Sequence, residues 1–155
     1  MCLVAGYWLF VVCCLLLGFI LSLYEIFEQT VINKIKMARF QDLRVYQLAE
    51  KLANEIWKIV YQWDYFAKDT VGKQMVRAAD SIGANIAEGN GRYSSKDNQR
   101  FVKIARGSLQ ETQHWLRLAC ARKLLHQEQI EKLKLIINEL APTLNAYLNS
   151  LKNRS

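Results

Sequence analysis

From Phe40 to Leu151 apolar residues recur every three or four positions, in four runs separated by short polar breaks. That period is the mark of amphipathic helices. The first run, Asp42 to Tyr65, places Tyr46, Ala49, Leu52, Ala53, Ile56, Val60 and Trp63 on one side, with Asp42 as its cap. Asp64 to Asp69 make a turn, and a second helix starts near Thr70 and ends around Gly89-Asn90-Gly91. Ser94-Ser-Lys-Asp97 has the form of a capping box, with the shorter acid at its fourth position. The third helix then runs to about Arg122, with Phe101, Ile104, Ala105, Ser108, Thr112, Trp115, Leu116 and Ala119 inward. Gly107 in its middle predicts a close approach by a neighbouring backbone. The fourth begins near Gln127 on the stripe Ile130, Leu133, Ile137, Leu140, Leu144, Tyr147 and Leu151, with a kink expected at Pro142 and fraying from Asn149. Four such helices on short turns predict an all-α fold, an antiparallel up-down four-helix bundle.

Ahead of the bundle lies a different composition. Residues 1–24 carry no charge, and about 20 apolar residues suffice to span a bilayer. Residues 1–36 therefore read as an apolar leader and 37–155 as the bundle domain. The leader is either a transmembrane anchor helix or a non-native stretch translated from too early a start, with Met37 opening the protein. A cleaved signal peptide fits less well, because no basic segment precedes the apolar run. If the leader is an anchor, Lys34, Lys36, Arg39 and Arg44 place the bundle on the cytoplasmic side. Either reading puts the domain in the cytoplasm, with a membrane as partner only if residues 1–36 are native.

The formal net charge is +7, and residues 1–36 contribute none of it. The excess lies in residues 37–155, where 19 basic side chains face 12 acidic ones. Such a balance suits RNA, DNA or an acidic partner. Only one cysteine, Cys120, falls in the domain, which excludes a disulfide framework and reads as a small buried apolar residue.

Within the second helix Arg77, Ser81, Asn85, Glu88 and Arg92 share one face, beside an apolar stripe of Ala78, Ile82, Ile86 and Gly89. So polar a stripe on a helix this rich in small residues is water-facing, paired inside, or placed at a contact between chains, and is otherwise free for a ligand. A basic line follows, Arg92, Lys96, Arg100, Lys103 and Arg106. Lys96, Arg100 and Lys103 fall on one face of the third helix and are the candidates, with Arg92, for nucleic-acid contact. No helix-turn-helix, zinc-finger or RNP pattern occurs, so binding led by the phosphate backbone is expected. Trp57, Trp63 and Trp115 read as core or subunit-contact aromatics.

Catalytic patterns are weak. Glu111-Thr-Gln-His114 matches half of a di-iron site, but His126, the only other histidine, lacks the spacing for a second half. His114 and Cys120 stand six apart on one helix, which points them to different faces. No enzyme activity, metal or cofactor is expected.

Three segments carry a resemblance: Phe40-Gln-Asp-Leu-Arg-Val-Tyr46-Gln47, Gln74-Met-Val-Arg77 through Glu88-Gly-Asn-Gly-Arg92, and Phe101-Val-Lys-Ile-Ala-Arg-Gly-Ser-Leu-Gln-Glu111. In order and content they resemble the 23S rRNA-intervening-sequence proteins, often called four-helix bundle proteins. The resemblance implies a bundle that assembles into homo-oligomeric rings, typically pentamers. It also implies kinship with the accessory protein of diversity-generating retroelements, which partners a reverse transcriptase and binds nucleic acid. RNA, DNA or a nucleic-acid enzyme are thus the implied partners. Two departures stand out: Gly83 replaces a proline common in the family, and the leader has no counterpart there. The alternative function is a membrane-tethered structural or protein-interaction module.

Overall fold

The computed structural model describes residues 39–152. The leader, the proposed start at Met37 and the last three residues lie outside the described residues. A single 3-10 turn, Phe40–Asp42, leads into α1, Arg44–Tyr61. A one-turn helix, Tyr65–Ala67, and a π-helical segment, Lys68–Gly72, run directly into α2, Lys73–Asn90. α3 spans Ser95–Ala121 and α4 spans Gln127–Lys152, unbroken through Pro142.

Pairs across the helices fix the antiparallel order. Gly72 meets Val60 and Gly83 meets Tyr46 between α1 and α2. Ser81 meets Ser108, and Gly89 meets Asn98, between α2 and α3. Asn98 Nδ2 donates to Tyr147 Oη at 3.3 Å between α3 and α4. The bundle closes through Lys132–Glu55, 2.6 Å, and Arg44–Glu139, between α4 and α1. Each helix packs on its two neighbours, and neither diagonal pair comes together. The predicted up-down bundle is the fold.

The core is one stack of Leu52, Ile56, Met75, Ile82, Ile86, Leu109, Leu140 and Leu144, all fully buried. Thr112 is buried among them because its hydroxyl donates to the Ser108 carbonyl at 2.8 Å, which offsets the cost of burying a polar group. Glu55, wedged between Lys132 and Lys58, has its carboxyl held below the usual range, chiefly by the hydrogen bonds from those two ammonium groups.

Several predicted details are corrected. Leu43, not Asp42, stands at the α1 N-cap, and no side chain caps it. The second helical rod begins at Tyr65 rather than near Thr70, because Asp64 Oδ1 accepts from Ala67 N–H at 3.0 Å and nucleates it. Ile104 is 44% exposed rather than inward, since it lies at the rim between the buried positions Ala105 and Ser108 and the solvent face. Gly107 has no neighbour within 4 Å of where a Cβ would sit. The close α2–α3 approach lies at Gly89 instead, where a Cβ would meet Phe101 Cβ at 2.9 Å. Cys120 is exposed, not buried, because it follows Ala119, which takes the inward position. α4 holds its helix to Lys152, three residues past the expected onset of fraying. The Ser94 cap is as expected: Ser94 Oγ accepts from Asp97 N–H at 3.0 Å.

Candidate nucleic-acid interface

The α2–α3 turn builds the basic end of the molecule. α2 stops where Gly91 N–H closes onto the Ala87 and Glu88 carbonyls. Arg92 follows immediately, and α3 starts three residues later. Arg92 is held twice: its guanidinium pairs with Glu88 and lies 4.9 Å from the centre of the Phe101 ring. This cation is therefore positioned before any ligand arrives.

Lys96, Arg100 and Lys103 project from the side of α3 opposite the core and are all exposed. Their spacing of four and three keeps them in one row about 10 Å long. None of the three makes an ion pair among the described residues, and neither does Arg106 on the flank of the row. The nearest acid in sequence, Asp97, is tied back to the Ser94 hydroxyl at 2.8 Å. A row of unpaired cations on one face can neutralise successive phosphates. It offers no base-reading geometry.

The polar stripe of α2 divides into three parts. Ser81 meets α3 through Ser108, and Asn85 bonds back to Ser81. Asn85 Nδ2 donates to the Ser81 carbonyl at 2.7 Å and lies 3.1 Å from Ser81 Oγ. Ser108 Oγ stands 3.2 Å from Ser81 Oγ and 3.2 Å from the Ile104 carbonyl. These two residues are thus paired within the protomer. Glu88 serves Arg92. Arg77 is exposed and borders a groove at the far end of α2.

That groove has no signature in the sequence pattern. It lies between α1 and α2, holds about 570 Å³, and is walled by Trp57, Tyr61 and Tyr65. Trp57 is 58% exposed, Tyr61 69% and Tyr65 83%, so Trp57 is not a core residue. Its position next to the buried Ile56 hid it, yet one residue of helix turns a side chain by about 100°. Asp80, also in the groove, has its carboxyl pushed above the usual range by burial beside this apolar wall.

Among the described residues no group of three His, Cys, Asp or Glu side chains is placed to hold a metal. His114 packs edge-on to Trp115 at 5.3 Å, and Glu111 accepts from the Trp115 indole at 3.5 Å. No described helix is long and apolar enough to cross a membrane.

The sequence model of the family described as 23S rRNA-intervening sequence protein matches residues 41–146. A crystal structure from Bacteroides thetaiotaomicron, titled as a protein with unknown function from the S23 ribosomal protein family, is 26% identical. It aligns with a TM-score of 0.60 over 67% of this chain and 97% of its own. No protein of curated function matches the chain.

Proposed function

The chain belongs to the 23S rRNA-intervening sequence protein family, and from that premise we propose that it is a non-catalytic, homo-oligomeric bundle that binds nucleic acid. Lys96, Arg100 and Lys103 make the contact, with Arg92 pre-set beside them. One observation carries this reading: three exposed cations share a helix face and, among the described residues, spend none of their charge on a partner carboxylate. Such a surface holds phosphates or the acidic face of a nucleic-acid enzyme. Assembly into rings, five copies by the family resemblance, multiplies the patch and raises avidity without new contacts. The protein works in the cytoplasm.

The test is a titration of RNA and single-stranded DNA against the full chain at several salt concentrations. Arg100→Glu with Lys103→Glu weakens binding more than tenfold at low salt. The same change flattens the salt slope, by about 0.7 for each single-strand phosphate that is no longer neutralised. Unchanged binding in that variant removes this face as the site.

A second reading rests on the uncharged residues 1–24: a membrane-tethered interaction module. The mass of the N-terminal peptide of the native protein separates the two. A first residue at Met37 or Ala38 ends the tethered reading.

A further inference from the structure

The α1–α2 groove brings flat rings and cations together. α1 supplies Trp57 and Tyr61, and the one-turn helix after it supplies Tyr65. Phe66, next in the chain and 76% exposed, adds to this aromatic edge. The cations come from the rod that continues into α2: Lys68, Lys73 and Arg77 all line the groove.

The π-helical segment is what aligns them. Lys73 N–H donates to the Lys68 carbonyl, five residues back. An α-helical ring would pair it with Asp69, and Lys68 would fall out of line with Lys73. The wider ring sets Lys73 one full turn beyond Lys68, and Arg77 follows four residues later in regular α-helix. Three cations therefore occupy consecutive turns, about 5 Å apart along the rod. Lys68 Nζ lies 5.2 Å from the centre of the Tyr61 ring, so charge and ring already adjoin. Asp69 stands 3.9 Å from Lys73. Lys68 and Arg77 have no ion pair among the described residues.

We infer that this groove holds an unpaired stretch of nucleic acid, its bases stacked on the Trp57, Tyr61 and Tyr65 rings and its phosphates on Lys68, Lys73 and Arg77. The inference rests on the reading of the protein as a nucleic-acid binder and adds a second site to the α3 row. The row has cations alone and takes phosphates of single strand or duplex. Stacking on a side-chain ring needs a base released from its pair, so the groove selects single strands. Three cations against Asp69 and Asp80 leave the lining net positive. The Asp80 carboxylate offers an acceptor that suits the amino group of cytosine. A free nucleotide is a poorer occupant. Small-molecule sites bury about 70–90% of their ligand, whereas Trp57, Tyr61 and Tyr65 are each more than half open to solvent. A strand offsets that openness by engaging several rings and cations at once.

The test is a titration of the full chain with a deoxycytidine decamer and with a hairpin duplex, read by anisotropy and tryptophan fluorescence. The decamer quenches the wild-type fluorescence. Trp57→Phe keeps the decamer affinity within about threefold, because phenylalanine still stacks, but removes most of the quench. Trp57→Ala with Tyr61→Ala lowers decamer affinity relative to the hairpin by more than tenfold, with assembly mass and helical circular dichroism unchanged. Lys68→Gln with Arg77→Gln lowers the salt slope for the decamer by about 1.4, the share of two single-strand phosphates. Arg100→Glu with Lys103→Glu weakens hairpin and decamer alike and leaves the quench at saturation, so the two sites fail independently. A quench that survives Trp57→Phe overturns the inference, as does an affinity ratio unmoved by the alanine pair. So does a mononucleotide that binds as tightly as the decamer. A fall in assembly mass in the alanine pair overturns it too, and gives the rings to a second copy.

Discussion

Gly89 and Asn98 approach so closely across the α2–α3 contact that a β-carbon on Gly89 would stand 2.8 Å from Asn98 Oδ1. The second obstacle, Phe101 Cβ, is fixed to the α3 backbone and cannot swing aside. Gly89→Ala therefore lowers stability by about 1–3 kcal/mol, the usual cost of overpacking. Gly107→Ala, on the same pair of helices but in open space, raises it by about 0.5–1 kcal/mol through helix propensity. Urea unfolding of the two variants reads the opposite signs.

Lys123 holds a left-handed backbone, φ 58°, where α3 ends. Leu124 N–H donates to the Ala119 carbonyl at 2.9 Å and Lys123 N–H to Cys120 at 3.0 Å, a Schellman closure with lysine in the usual glycine place. Lys123→Gly relieves that strain and stabilises the protein by about 0.5–1 kcal/mol. A higher midpoint in thermal unfolding checks it.

Glu55 and Asp80 give opposite pH dependences. Glu55 has a lowered pKa, so its stabilisation is complete above the ordinary 4.5 and is lost as pH falls below it. Glu55→Gln should cost about 1 kcal/mol near neutrality and little in acid. Asp80 has a raised pKa, so the protonated form suits the fold, and stability drops as pH rises upward from 3.8. Asp80→Asn removes that drop. Denaturant midpoints measured from pH 3 to 7 distinguish the two slopes.

Tyr147 Oη is the partner of Asn98 Nδ2 inside the α3–α4 contact, while Asn98 Oδ1 is buried without a hydrogen bond among the described residues. Tyr147→Phe leaves the amide with a second unmet group and costs about 1–2 kcal/mol. Equilibrium unfolding at neutral pH measures it.

The helices were legible because their core positions keep one period over many turns, as from Leu133 to Leu151. The Ser94 cap was legible because its residues are contiguous. What failed depended on neighbours far away in sequence. Gly89 and Gly107 look alike in a helical pattern, and only the packing of α3 tells which one is short of space. Cys120 and Ala119 are equally small, and one residue of phase decides which faces water. The cationic row was visible from spacing alone. The aromatic edge was not, since Trp57 and Tyr61 interleave with true core positions and Tyr65 and Phe66 stand in what reads as a loop.

The π-helical segment Lys68–Gly72 spends one more residue per hydrogen-bonded ring than the helix on either side of it. It behaves as a vernier. Gaining or losing a single residue there swings Tyr65 and Phe66 by about 100° around the rod, while the core phase of residues 73–90 stays put. Relatives with the same interior could thus display their aromatics to different neighbours through an insertion or deletion at this one place.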